Sequence, residues 1–164
     1  MKLATINLGC PKNLVDLEWI LGFLNGSVTL CNNLLDADAA LINTCAFIDS
    51  AKEEAIETIL EVAQIKQERP DYKILVTGCL PQRYRQEVKD VLPEIDFVFS
   101  STSALDTAKE LAQHLKLSPL TPVQRQRLTG AHFAYLKLAK GCNNRCHYCA
   151  IPLIKGPYQS RSLE

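Results

Sequence analysis

Two kinds of apolar run alternate along the chain. Leu3-Ala4-Thr5-Ile6-Asn7-Leu8 is a short β-prone stretch that stops at the turn-forming Gly9-Cys10-Pro11. Leu14, Leu17, Leu21 and Leu24 then recur at helical spacing, with Asn13 placed as the N-cap and Asn25-Gly26 as the stop. Ser27–Leu30 reads as a second strand. Asp38–Asn43, with Ala39-Ala40-Leu41-Ile42 at its centre, reads as a third, apolar enough to be buried on both faces. Ser50 and Glu53 form a Ser-x-x-Glu capping box. Ile56, Ile59, Leu60 and Ala63 follow on one helical face, opposite Glu54, Glu57 and Glu61, until Arg69-Pro70-Asp71 breaks the pattern. Lys73–Thr77 is a fourth strand ending at Gly78-Cys79, and Pro81 suits the first turn of a helix running to about Leu92. Ile95–Phe99 is a fifth strand. Ser103–Leu115 is a helix with Leu105, Ala108, Leu111, Ala112 and Leu115 on one side. This alternation from Leu3 to Leu115 predicts an α/β fold, a parallel sheet with helices on both faces. Leu117–Gly130 carries two prolines and no apolar period and reads as a linker, after which Phe133–Leu138 is a fresh strand.

Composition adds a boundary to that picture. At 164 residues and 47% hydrophobic content, the chain is long and apolar enough for one cored domain, or one domain and part of another. No apolar run approaches a membrane span, so no membrane partner is expected. The formal net charge of zero hides an asymmetry: residues 1–115 carry 10 Lys/Arg against 17 Asp/Glu, while residues 116–164 carry 8 Lys/Arg against Glu164 alone. Such a break marks a domain boundary, and a basic half suits an anionic partner. Met1 and Lys2 lead straight into Leu3–Leu8, too short a run for a signal peptide, which points to the cytoplasm.

The cysteines supply the candidate chemistry. Cys142, Cys146 and Cys149 stand at Cys-x3-Cys-x2-Cys spacing, with Tyr148 just before the third. A loop that short can aim three thiolates at one centre and leaves one coordination position open, as in an iron–sulfur cubane with a free iron. Structural zinc is the rival; it takes four ligands, and His147 is wedged between Cys146 and Cys149, poorly placed to share a metal with both. Seven cysteines in a reducing compartment argue against a disulfide framework. Cys10, Cys45 and Cys79 each follow a predicted strand and precede a helix, positions that lie along the carboxyl edge of an open parallel sheet. Helix N-termini behind them would favour an anionic centre and lower the thiol pKa values. Buried structural thiols remain the alternative for these three. Cys31, ahead of Asn32-Asn33, lacks that context and reads as a structural or exposed free thiol. His114 reads as a solvent-facing helix residue and His132 as a linker residue, and no residue is singled out as a catalytic acid or base.

Leu8-Gly9-Cys10-Pro11-Lys12-Asn13-Leu14-Val15-Asp16, Asn43-Thr44-Cys45-Ala46-Phe47-Ile48-Asp49-Ser50-Ala51-Lys52-Glu53-Glu54, Gly78-Cys79-Leu80-Pro81-Gln82-Arg83-Tyr84 and Gly141-Cys142 through Ala150-Ile151-Pro152 together resemble the methylthiotransferases, radical S-adenosylmethionine (SAM) enzymes with two [4Fe-4S] clusters. The resemblance covers essentially the whole chain. It implies a flavodoxin-like parallel sheet flanked by helices over residues 1–116, the methylthiotransferase N-terminal domain. It further implies a linker over 117–131 and, over 132–164, the first strand and cluster loop of a truncated radical SAM β/α barrel. It implies that Cys10, Cys45 and Cys79 bind an auxiliary [4Fe-4S] cluster that delivers sulfur. Cys142, Cys146 and Cys149 would bind the radical SAM [4Fe-4S] cluster, with Tyr148 near the SAM adenine or as a hydrophobic plug over the cluster.

The Cys-Pro-Lys-Asn-Leu-Val-Asp form around Cys10 is similar to the branch acting on an aspartate of ribosomal protein S-twelve, which would make that protein, possibly on the ribosome, the substrate partner, alongside an electron donor. Two departures stand out: Leu17 where that branch often has Ser, and Pro157 and Gln159 where Lys and Arg are usual. A monomer is expected. A barrel needs on the order of 200 residues, so turnover by these 164 residues alone is not expected. The competing functions are a tRNA methylthiotransferase, within the same chemistry, and a non-catalytic metal-binding or regulatory module.

Overall fold

The computed structural model describes residues 1–118 and 124–162. Its elements, in order, are β1 (Lys2–Asn7), α1 (Pro11–Leu24), β2 (Thr29–Cys31), a 3-10 turn (Leu34–Asp36), β3 (Ala39–Thr44), α2 (Asp49–Glu68), β4 (Lys73–Gly78), α3 (Cys79–Arg83), α4 (Arg85–Val91), β5 (Phe97–Val98), α5 (Ala104–His114), β6 (Ala139–Lys140), α6 (Ile151–Lys155) and β7 (Gln159–Ser160). The first five strands form one parallel sheet in the order β2-β1-β3-β4-β5. This is the flavodoxin-like arrangement, with its topological switch between β1 and β3.

Every residue of β3 is buried, because the strand has neighbours on both sides and helices on both faces. The two-residue period of a strand splits its side chains between two cores. Ala40 and Ile42 join Ile74 and Val76 of β4 and Ile59 and Val62 of α2. Ala39 and Leu41 join Leu75, with Leu17, Leu21 and Leu24 of α1 and Leu111 of α5. Leu17, a departure from the branch pattern, is thus fully buried in this second core.

Several element ends differ from the sequence reading. Asn13 does not cap α1: the helix starts at Pro11 with Cys10 in the cap position, and Asn13 is buried inside it. Proline accepts the first helical position because the N–H it lacks would have no helical partner there. The capping box at Ser50 and Glu53 is not formed either. The α2 helix begins at Asp49 with Ile48 in the cap position, two residues earlier than a cap at Ser50 would place it, and the Asp49 carboxylate pairs with Lys52 at 2.5 Å and complements the helix dipole. The helix expected from Pro81 to Leu92 starts at Cys79 and breaks at Tyr84, where the backbone leaves helical angles and the ring lies near both Lys52 and Arg83. His114 is exposed, as expected of a solvent-facing helix residue, while its ring also lies against Phe97, centroids 4.1 Å apart and planes tilted by 32°.

The segment after the sheet is fastened to α1 rather than hanging free. Of the expected linker, residues 119–123 lie outside the described residues. Beyond them, Gln126 donates its backbone N–H to the Glu18 carbonyl at 3.1 Å. The Glu18 carboxylate, fully buried, accepts from the Arg125 guanidinium (Nε at 2.7 Å, and Nη2) and from the Leu128 N–H at 2.7 Å. Gly22 lets this strap pass: a Cβ there would stand 2.8 Å from the Gln124 carbonyl oxygen. Apolar periodicity is blind to such polar anchoring. The barrel strand expected over Phe133–Leu138 is not formed. Among the described residues the segment has no strand beside it to complete a ladder, Arg125 takes the Tyr135 carbonyl at 2.7 Å, and strand pairing begins at β6, antiparallel to β7.

Asp96 fastens the sheet's far edge. Its carboxylate accepts from the Ile74 N–H at 2.8 Å and from Lys66 at 2.7 Å, with Lys73 at 3.4 Å. Burial pushes its pKa up, but the Lys66 and Ile74 hydrogen bonds and the two lysine charges outweigh this and hold it below its ordinary 3.8. A depressed carboxyl contributes stability that is present above its unfolded value and lost as pH falls through the folded one. Stability measured by urea unfolding should therefore fall less steeply below about pH 4 in Asp96→Asn than in the native sequence. Arg125→Ala, which strips the buried Glu18 of its counter-charge, should cost about 3 kcal/mol in the same measurement at neutral pH.

Candidate functional site

Three adjacent strands, β1, β3 and β4, end side by side at the carboxyl edge of the sheet. Cys10 lies three residues beyond β1, Cys45 directly follows β3, and Cys79 directly follows β4. The topology thereby brings three cysteines, 35 and 34 positions apart in sequence, to one edge. Cys10 is exposed, Cys45 half-buried and Cys79 buried. The thiols are near enough that Cys45 and Cys10 act electrostatically on Cys79. Among the described residues, no three His, Cys, Asp or Glu side chains are gathered closely enough to hold a metal ion.

A polar floor supports this edge. The three strands end in the half-buried Asn7 and in the buried Asn43-Thr44 and Thr77, and polar groups so placed need partners. Asn43 Nδ2 donates to Asn7 Oδ1 at 2.7 Å and to the Asn13 carbonyl at 2.9 Å. Asn13 Nδ2 donates to the Thr44 carbonyl at 2.9 Å and lies 3.4 Å from Cys79 Sγ. Thr44 Oγ1 donates to the Thr77 carbonyl at 2.7 Å and accepts the Leu80 N–H at 3.3 Å. Gly78 makes the fit possible. Its φ is 99°, and a Cβ on it would stand 2.4 Å from the Thr44 carbonyl oxygen.

The expectation that helix N-termini lower the thiol pKa values fails at Cys79. Burial pushes this thiol above its ordinary 9.0, with smaller upward contributions from Cys45 and Cys10, while the Lys155 charge and the Asn13 hydrogen bond pull the other way without winning. Burial thus favours the protonated form of Cys79, and any thiol must lose its proton before it can bind a metal. Cys31 ends β2, is half-buried, packs against the first core and donates its thiol to the Asn33 carbonyl at 3.6 Å, in keeping with a structural thiol.

The Gly141–Cys149 loop is closed at its base by backbone bonds. Cys142 donates its N–H to the Gly156 carbonyl at 3.2 Å, and Gly141 has no room for a Cβ, which would sit 2.0 Å from the Pro157 carbonyl oxygen. Cys149 N–H bonds the Cys146 carbonyl at 3.1 Å, and Asn143 accepts the Tyr158 N–H at 2.9 Å. Cys142 and Cys149 are half-buried and Cys146 is exposed, as is Tyr148, at 91%. The loop runs into α6, which packs on α3, and Ile154 of α6 is buried in the same core as Cys79 and Leu80. Cys79, which opens α3, is thus on an element in contact with the helix that follows the second cysteine set. A separate cleft of about 380 Å3 lies between α1 and the β6/β7 pair, lined by Trp19, Phe23 and Arg161 among others and by no cysteine.

Sequence reasoning missed Asn13 and Asn43 as buried floor residues. For Asn43 the available signal was a polar residue near the end of an otherwise apolar strand, whereas Asn13, inside α1, carried none. Asn13→Leu, which keeps the volume but leaves the Thr44 carbonyl without its donor, should destabilise the fold by about 1–3 kcal/mol in urea unfolding.

Comparison with known proteins places this arrangement. The chain is 45% identical over 170 residues to a protein of Alkaliphilus oremlandii named "Ribosomal protein uS12 methylthiotransferase RimO", covering all of this chain and 39% of that protein. Proteins of the same name from Sulfurihydrogenibium sp. and Aquifex aeolicus are 43% and 42% identical, again over the whole chain and over 37% and 36% of their own lengths. The chain therefore spans between a third and two fifths of these relatives. Residues 2–100, the sheet with all three strand-end cysteines, match the model described as Uncharacterized protein family UPF0004, and the chain belongs to that family.

Proposed function

We propose that this chain forms the auxiliary-cluster domain and the opening part of the radical SAM domain of a methylthiotransferase. Its substrate in this reading is an aspartate of ribosomal protein uS12, the protein named in its relatives. The observation that carries the reading is the convergence of Cys10, Cys45 and Cys79 at the ends of three contiguous strands, next to the helix that follows a second three-cysteine loop. The donor set suits the group in kind: thiolates are the ligands of iron–sulfur clusters, and three per cluster leave one iron open. The unequal burial of Cys10, Cys45 and Cys79 means that gathering them requires local movement.

In this reading Cys10, Cys45 and Cys79 hold the auxiliary [4Fe-4S] cluster, and Cys142, Cys146 and Cys149 hold the radical SAM [4Fe-4S] cluster. When bound, these cofactors supply reductive cleavage of SAM and sulfur for transfer. The residues of this chain bind and orient them. Exposed Tyr148 is free to lie against the SAM adenine. Residues 1–116 form one domain, 117–131 the linker and 132–164 the start of the next, and the protein works as a cytoplasmic monomer fed by an electron donor. Among the described residues no helix is long and apolar enough to cross a membrane.

Anaerobic reconstitution of the full-length protein with iron and sulfide tests the reading. It should give about eight irons per chain, falling to about four in Cys79→Ala and in Cys146→Ala. One bound zinc without visible charge-transfer absorption would sink it in favour of a metal-binding module. A product assay on uS12 and on tRNA then separates the two methylthiotransferase substrates.

A further inference from the structure

One carboxylate ties together elements that the reaction site needs held in register. Asp16 lies on α1, two turns along from Cys10 at the helix cap and one turn from Asn13, which bonds beside Cys79. Its oxygens accept from Lys137 Nζ at 2.5 and 2.7 Å, and Lys155 Nζ stands 4.0 Å away. Lys137 precedes β6 and the Gly141–Cys149 loop, whereas Lys155 ends α6 just beyond that loop. Both lysine side chains are only 12% exposed, so neither ammonium is freely solvated. Without Asp16 two half-desolvated cations would face each other across the base of the loop.

We propose that Asp16 is a positioning residue: it clamps both ends of the Cys142–Cys149 loop to the helix that begins at Cys10, and so sets the loop's place relative to the Cys10/Cys45/Cys79 edge. The contacts themselves are independent of any cluster, while their consequence for catalysis rests on the function proposed above. The interaction differs from a surface ion pair in its burial and in its two-ended geometry. The nearby Glu18–Arg125 pair holds the strap ahead of the loop, whereas Asp16 holds the loop itself.

Hydrogen–deuterium exchange on the metal-free full-length protein reads this directly. The amides of Cys142, Cys149, Ile154, Gly156 and Arg161 all donate to backbone carbonyls within the segment running from Leu138 to Arg161. In Asp16→Asn their exchange should rise at least about tenfold, while β3 and β4 amides keep their native rates. Asp16→Glu, which retains the charge, should restore most of the protection. Unchanged exchange in Asp16→Asn would overturn the clamp, and so would an equal rise throughout the sheet, which would mark a general stability effect. Because the protein is metal-free, failure here leaves the cluster assignment standing, and failure of the iron count leaves the clamp standing.

Discussion

The hydrogen-bond ladders of β3 with β1 and β4 are the constraint on which the rest of the molecule depends. A strand buried on both faces and paired on both edges has one register that keeps each side chain in its own core. Once Ala4 is opposite Ala40 and Ala40 opposite Ile74, the three strands must end level with one another. The residues just past those ends then share an edge whatever their distance in sequence. The polar residues there cannot be left bare in a buried position, since each unsatisfied group costs about 1–3 kcal/mol. They satisfy one another, and Asn7, Asn43, Asn13, Thr44 and Thr77 become a floor under the cysteines. The site's foundation is thus a consequence of how the sheet terminates.

The α1 helix extends that order to the second cysteine set. Its apolar residues Leu17, Leu21 and Leu24 enter the core, while Asp16 and Glu18 receive the following segment. The charge asymmetry between the two halves of the chain has part of its explanation here. Arg125, Lys137 and Lys155 face Glu18 and Asp16, so these basic residues find their counter-charges within the chain, and Arg161 rests over the Trp19 ring. Charges spent internally in this way are not free for an external anion.

The sheet was legible because strand and helix periodicities differ and because Gly-Cys, Thr-Cys and Arg-Pro-Asp punctuate them. Strand order followed less directly: alternation says parallel, and only the structure makes β1, β3 and β4 neighbours. Helix starts were misjudged where a local signal competed with tertiary demand. Asn13 is a good cap by type, but its side chain is worth more as a buried donor to Thr44. Asp49 takes the start of α2 from Ser50 by charge. The Phe133–Leu138 run is strand-like by composition, yet a strand exists only with a partner alongside. The polar anchoring of the strap through Glu18 leaves no periodic trace at all, which is why it read as a bare linker.

Cys79 is the fixed point of its set. Gly78, at φ 99° and with no space for a side chain against Thr44, holds the start of α3 hard against β3. Leu80 N–H is bonded to Thr44 Oγ1, and Leu80 itself is buried. Shifting Cys79 would therefore disturb the central ladder. Cys10 has fewer ties, being exposed on a helix cap that makes no side-chain bond, and Cys45 is half-buried in a short connection ahead of α2. If the three thiols close around one centre, the movement belongs to the Cys10 and Cys45 turns, and the ladder with its polar floor stays as it is. The same burial that fixes Cys79 in place, together with the nearby Cys45 and Cys10 thiols, favours its protonated form.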